Sequence, residues 1–345
     1  MSIRIAIDVM GGDHAPAAIL DGSISALRHL SADDTIVLIG SEDVIRDTLR
    51  TKGIEDARIE IEHASESIPM GASPTVAVRQ MQDSSIVKMA KLGSRKAEVM
   101  CDAVLSAGNT GACVAAGQMH MKRLTGVHRP GIAVTFPSFH GPVVLCDAGA
   151  NPEPRANHLW QYGIMADVYA KRVLNIQSPR VGLMNIGSEE SKGSGLARET
   201  AQMLKGTPGI NFIGYIEGRD VFGGTADVIV TDGFVGNTVL KMAEGFAKSI
   251  FQAIAQEIFD HDPKLAMQFE PIVKQIYKKN DYHEYGGAPL LGVNGVMMIA
   301  HGTSEARTID NAIRNTLEYV RGHVNDEIVA RLKEVASIEQ GEPAS

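Results

Sequence analysis

Residues suited to chemistry are concentrated in six short loops: DVMGGDHAP (8–16), SAGNTGA (106–112), CDAGANPE (146–153), NIGSEESKGSG (185–195), TDGFVGN (231–237) and HGTSEA (301–306). Each follows a strand-like apolar run and precedes a helix-like stretch. In an open parallel sheet the connections after the strands gather at one edge, where ligands bind, so one shared polar pocket is expected. A helix start offers unpaired backbone N–H groups and a positive dipole end, and glycine lets an oxyanion approach that backbone closely. The expected occupant is therefore anionic.

Taken singly, most of these residues have two readings. Lys192 stands between glycine-flanked turns ahead of LARETAQML, where it can grip an oxyanion or simply be a solvated lysine. Its loop is not a P-loop, which requires G-x-x-x-x-G-K-[ST], and Gly193 and Gly195 are followed by Arg198 where a dinucleotide fingerprint has its third glycine. Nucleotide binding is unsupported. Asn109 and Thr110, and likewise Asp232 and Asn237, either cap a helix or serve a ligand, with the backbones of Gly111, Gly193 and Gly236 as further donors. Asp8, Asp13 and His14 could hold a metal or move protons, but no HExxH-like spacing supports a metal, and none is expected. HGTSEA approaches the nucleophile elbow G-x-S-x-G, which makes Ser304 a candidate nucleophile, although Ala306 replaces the last glycine and a serine there more often caps a helix.

The elements that must position these loops read as alternating strands and helices. IRIAIDV, TIVLIG, ARIEIEH, AEVMCDAVLS, GPVVLCD, RVGLMNIG, TADVIVTD and NGVMMIAHG are strand candidates, most of them succeeded by a helical run, such as TVAVRQMQDSSIVKMAKLG after Pro74. A mostly parallel sheet covered on both faces is expected. GGAPLLGVNG (286–295) reads as a further glycine loop. Residues 238–283 form a long helical region whose apolar surface, including Phe251, Ile258 and Phe259, could pack on the core, form a dimer seam or meet a membrane surface. SIEQGEPAS reads as a frayed tail.

Composition limits the alternatives. The 345 residues are 44% apolar and 21% charged with 35 glycines, as in a globular α/β protein. With 33 basic against 41 acidic residues the net charge is −8, which argues against a general nucleic-acid binder. MSIRIAIDVMGGD reads as a first strand rather than a signal peptide, and the uncharged run 103–121 carries too many polar residues for a membrane span. Cys101, Cys113 and Cys146 have no CxxC spacing, so neither a disulfide framework nor a zinc ribbon is indicated.

In order, DVMGGD, SAGNTGA, DAGAN, NIG-x-E-E-x-KG, DGF-x-GN, YGGAPLLGV and HG resemble the phosphate acyltransferases of bacterial phospholipid synthesis, the PlsX family. The resemblance runs from Ile3 to about Val335. Departures are Ser188, where the family commonly has an acidic residue, and Ser304, a position often filled by another residue. It implies transfer of a fatty acyl group from acyl carrier protein to inorganic phosphate, and an α/β/α fold similar to isocitrate and isopropylmalate dehydrogenases and to phosphotransacetylase. It also implies a homodimer, no cofactor, and a cytoplasmic protein loosely attached to the inner face of the cell membrane through a helical hairpin at about 247–282. The acyl-phosphate would feed glycerol-3-phosphate acylation by a membrane acyltransferase. On this basis the expected division is a core of 1–240 and 286–336, a hairpin of 241–285 and a flexible tail of 337–345.

Such a reaction needs no catalytic triad. Phosphate, with a second pKa of about 6, is a nucleophile in its own right, and a thiol of pKa about 8.5 leaves readily as thiolate. What remains is to hold the dianion against the thioester and stabilise the developing oxyanion. The expected roles are phosphate binding by Lys192, thioester orientation by Asn237 and the DGFVGN backbone, and completion of the anion cradle by Asn109 and Thr110. Asp8, Asp147 and Asp232 would fix the loops and Lys192, and His14 or His301 would protonate the leaving group. The carrier protein is acidic, so docking needs a basic patch: Arg79, Lys88, Lys91, Arg95 and Lys96, or Lys122, Arg123 and Arg129. Competing readings are a metal- and NAD-dependent dehydrogenase of the same fold, a Ser304 thioesterase, and a non-catalytic phospho-ligand binding protein.

Overall fold

The computed structural model describes residues 2–138, 140–279 and 285–339. Their strands are β1 (Arg4–Asp8), β2 (Thr35–Gly40), β3 (Ile59–His63), β4 (Ala103–Ser106), β5 (Gly131–Ser138), β6 (Gly141–Cys146), β7 (Arg180–Met184), β8 (Asn211–Ile216), β9 (Val228–Val230), β10 (Gly287–Leu291) and β11 (Val296–Ala300). They form one sheet in the order β3-β2-β1-β4-β11-β10-β5-β6-β9-β7-β8.

Side chains alternate faces along a strand, so an apolar strand supplies two cores. Ile5 and Ile7 enter one with Leu38 and Leu105, while Ala6 enters another with Val37 and Val104. The first core continues across the sheet through Val144 and Val228, under the helices Ala156–Arg172 and Ala306–Arg321. On the opposite face the second core lies under Pro74–Gln80 and Ser85–Leu92, and a separate third one gathers Val143, Leu145 and Ile229. Both faces are covered, giving the expected α/β/α layers. The break between the second and third cores is where the pocket described below lies.

The sheet is mostly parallel, as expected, but the loops after its strands do not share one edge. β10 is antiparallel to both β11 and β5, and β5 is antiparallel to β6, whereas the other pairings are parallel. Three reversals make β6, β9, β7 and β8 run opposite to β3, β2, β1, β4 and β11. The six loops therefore leave from opposite ends of the strands, three from each half. The segment 286–295, read as a loop, contains β10, and its Pro289 pairs with Met298 although it has no N–H to donate.

Elsewhere the stretch 75–93 is two helices rather than one. The chain breaks at Met81, whose carbonyl accepts from Ser84 Oγ at 2.7 Å, a local bond that competes with helix. The helix Gly233–His261 starts inside the expected core segment and rises about 1.5 Å per residue over its 29 residues. After Asp262 the chain re-enters helix as Pro263–Lys279, which packs against the first. Residues 280–284 of the expected hairpin and 340–345 of the expected tail lie outside the described residues. Ser337–Glu339 are not tail but the end of the helix Val324–Glu339.

Candidate active site

Buried carboxylates fasten the loops to one another. Asp8, at the end of β1, accepts from Ser106 Oγ at 2.7 Å and from the Met10 N–H at 3.0 Å, joining the first loop to the second. Burial holds its carboxyl above the ordinary carboxylate range. The Asp13 N–H donates to the Gly302 carbonyl at 2.7 Å and ties in the loop after β11. In the other half, Asp147 Oδ1 accepts from the N–H groups of Ile132, Gly149 and Ala150, and its Oδ2 from Asn151 at 2.6 Å. The Gly233 N–H donates to the Asn151 carbonyl at 2.9 Å, which joins the third loop to the fifth. Asp232 caps the helix Gly233–His261 by accepting from the Val235 N–H at 2.8 Å. Gly236 must be glycine, because a Cβ there would stand 1.9 Å from the Asp147 carbonyl oxygen.

The two loop sets meet because that helix crosses between them. Asn237, Leu240, Lys241 and Glu244, at i, i+3, i+4 and i+7, share one helix face, and this face borders a cavity of about 330 Å³ over β5, β10 and β11. Its volume is that of a small-molecule site. Ile132, Val134, Leu240 and Ile299 give it apolar walls, while Asp13, Thr110, Asn237, Lys241 and His301 supply polar groups.

Lys241 is central to the polar side. Its Nζ lies 2.9 Å from Glu244 Oε2 and 2.6 Å from His301 Nε2. His301 Nδ1 lies 2.8 Å from Thr303 Oγ1 and 3.3 Å from the Thr303 backbone N–H, which fixes the ring against its own loop. Lys241 is thus held between the Glu244 carboxylate and the His301 imidazole at the cavity wall. Sequence reasoning missed Lys241 and Glu244. The signal was their spacing from Asn237 along a helix that opens with a loop already singled out.

The expected site residues divide into three groups. Thr110, Asn237 and His301 line the cavity. Asp8, Asn109, Gly111, Asp232 and Gly236 build its supports: Asn109 Oδ1 accepts from the Ala112 N–H at 3.0 Å while its amide donates to the carbonyls of Pro69, Met70 and Ala72, and a Cβ on Gly111 would meet Pro74 at 2.5 Å. Lys192, Gly193 and His14 are outside the lining. Lys192 is half exposed and pairs with Glu189 at 2.7 Å, not with the loop carboxylates. Its loop folds on itself through Asn185, whose amide donates to the Gly187 carbonyl at 3.1 Å and the Lys192 carbonyl at 3.3 Å, with Gly193 at φ +94° beside it.

Ser304 is 1% exposed and its Oγ has no hydrogen-bond partner among the described residues, so it has neither a base nor access to substrate. Nor does it cap the helix Ala306–Arg321, whose N-cap position is Glu305. All three cysteines are buried thiols, and burial pushes Cys101 up to about 11 and Cys113 up to about 12. Among the described residues, no group of three or more His, Cys, Asp or Glu side chains is placed to hold a metal ion.

Known proteins agree with this architecture. The family described as fatty acid synthesis protein matches residues 3–327. The phosphate acyltransferase of Desulfitobacterium hafniense (strain DSM 10664 / DCB-2) is 44% identical over 333 residues, which are 96% of this chain and 98% of that protein. That of Dictyoglomus turgidum (strain DSM 6724 / Z-1310) is 40% identical over 336 residues, 96% of this chain and 98% of that protein. Among solved structures, a phosphotransacetylase from Streptococcus pyogenes gives a TM-score of 0.60 at 16% identity, covering 93% of this chain and 94% of that one, which speaks for the fold. Matched along nearly its whole length, the chain belongs to the fatty acid synthesis protein family.

Proposed function

We propose that the protein is a phosphate acyltransferase that moves an acyl group from the thioester of acyl carrier protein to inorganic phosphate. Phosphate oxygen attacks the thioester carbonyl, the C–S bond breaks, and the products are acyl-phosphate and the free carrier thiol. The observation that carries this reading is a cavity whose apolar walls suit an acyl chain and whose lining also presents Lys241, Asn237, His301 and Thr110. Family membership supports the reaction class.

Within it, Lys241 turns from Glu244 to the incoming dianion, and the Asn237 amide donates to the thioester oxygen as charge develops there. Thr110 completes the anion contacts, and His301 relays the proton that the attacking phosphate loses to the departing thiolate, which leaves as the free thiol. Lys192, expected from sequence in the phosphate role, would act from outside the lining, so Lys241 is assigned that role here. The buried hydroxyl of Ser304 disfavours a thioesterase, and the missing fingerprint disfavours a dehydrogenase.

The wider setting follows the same reading. The hairpin of Gly233–His261 and Pro263–Lys279 forms the seam of a homodimer and touches the inner face of the cell membrane, where the product passes to a membrane acyltransferase acting on glycerol 3-phosphate. Exposed Met242, Phe246, Phe259, Met267 and Phe269 support such contacts. No helix of the described residues is long and apolar enough to cross a membrane. Mass spectrometry of acyl-loaded carrier incubated with the protein tests the reaction: acyl-phosphate must appear only when phosphate is present. Free fatty acid made without phosphate, or no turnover at all, would sink the proposal.

A further inference from the structure

Outside the cavity, a basic groove opens at the start of the helix Ala156–Arg172. Arg123, His128, Arg129, Arg155 and His158 converge on it, with Glu153 as the one acid in its lining. This runs against the molecule's own balance of −8. Several arginines elsewhere are matched by acids, as in Arg4–Glu60, Arg172–Glu327 and Arg180–Asp227. In the groove the Arg123 guanidinium donates only to the His128 carbonyl, and Arg129 and Arg155 have no carboxylate partner among the described residues. His158 is held below the ordinary imidazole range by its burial and then by the charges of Arg129, His128 and Arg155, as expected where a positive field goes uncompensated.

The rival basic patch differs. Lys88 Nζ lies 2.8 Å from Asp83 Oδ1 and 3.7 Å from Glu62 Oε1, and Lys91 turns to the Gln82 carbonyl at 3.2 Å. Asp83 and Glu62 thus compensate Lys88, the centre of that patch.

Position adds to charge. Arg129 in the groove is three residues from Ile132 in the cavity, and Asn151 in the groove is three residues from Ala148 in the cavity. Three residues span at most about 11 Å, so two separate stretches of chain link the groove to the candidate active site. A macromolecule seated on the groove could pass a thioester-bearing arm over this divide.

We infer that the groove is the docking surface for an acidic protein that delivers the acyl thioester, an inference that rests on the acyl-transfer reading above. Exposed arginines at such a rim steer the encounter and fix the register of a negatively charged partner.

The test measures binding of acyl-loaded carrier protein to the full chain by fluorescence anisotropy, in phosphate-free buffer over a salt series. Arg129→Glu with Arg155→Glu raises Kd at least tenfold and flattens its salt dependence. Lys at both positions restores binding, and Lys88→Glu with Lys91→Glu leaves Kd within twofold. Unchanged affinity in the arginine reversal, or loss in the lysine reversal instead, overturns the assignment. So does dissociation of a dimer by the arginine reversal, seen by light scattering, which would make the groove a seam between copies. Loss of inorganic phosphate binding with carrier affinity intact would likewise overturn it in favour of a small-anion site. Because binding is read without turnover, carrier docking through the groove without any acyl-phosphate formation would reject the proposed reaction and leave the docking surface standing.

Discussion

Among single residues, Lys241 bears most directly on the reaction. If it meets the dianion, Lys241→Met removes a charge from the developing transition state, and losing one such donor costs about 10² to 10³ in rate. Lys192→Met, which takes away a half-exposed partner of Glu189, should stay within tenfold of wild type. Acyl-phosphate formation by the two variants, at saturating carrier and phosphate, decides between them. A larger loss at Lys192 would return the phosphate role to that loop. The contrast also marks what single residues reveal in a sequence. Asn237, Thr110 and His301 stand out because they sit in loops rich in Gly, Asp and Asn after apolar runs, and the cavity includes all three. Asp8, Asp147 and Asp232 were legible as loop fasteners, since a carboxylate facing phosphate would repel it, and each accepts backbone N–H groups. Lys241 gave no comparable signal. A helical lysine four residues from an asparagine looks like any solvated lysine until a histidine from the loop after β11 meets it.

At the scale of elements, the placement of Lys241 depends on one close approach of the helix Gly233–His261 to the loop after β6. An alanine in a helix ordinarily gains up to about 1 kcal/mol over glycine. Gly245, with nothing within 4 Å of a built Cβ, should show that gain as Gly245→Ala. At Gly236 the same change puts a methyl 1.9 Å from the Asp147 carbonyl oxygen, a backbone atom that cannot swing aside. Gly236→Ala is therefore expected to destabilise by about 1 to 3 kcal/mol and to cut activity more than tenfold as the Asn237–Lys241 face is displaced. Urea unfolding of both variants, with activity measured beside it, checks the pair. A Gly236→Ala protein as stable and active as wild type would remove the packing argument. The helix itself was legible in the sequence, but its floor was not. β5 and β10, which line the cavity and reverse the sheet, were missed: GIAVTFPS is followed by no helical run that would mark a βα unit, and GAPLL is short and lies between glycines that read as a loop.

At the scale of the whole molecule, the parallel α/β character was legible because apolar alternation and loop chemistry repeat, whereas the reversal between halves depends on three antiparallel pairings with no local signature. The region was legible as a long helical stretch with an excess of apolar surface, its hairpin form only through the family resemblance, and it leaves two separable surfaces. Met242, Phe246, Ile250 and Ile254 recur every fourth residue and are all exposed, forming a ridge along the first helix. Phe259, Met267 and Phe269 are exposed on either side of the Asp262 break. If the ridge is the homodimer seam, burying Phe246 and Ile250 contributes about 1.5 to 3 kcal/mol each. Phe246→Glu with Ile250→Glu should then weaken dimerisation by about 10² to 10⁴ and give monomers in light scattering at micromolar protein. If the distal residues meet lipid, Phe259→Glu with Phe269→Glu should leave the dimer intact while abolishing flotation with anionic vesicles, since each apolar group is replaced by a charge that the interface disfavours. Because the two variants affect different assays, the seam and the membrane contact stand or fall independently. Dimers that survive the ridge variant place the seam elsewhere, and flotation that survives the distal variant removes the hairpin end as the lipid contact.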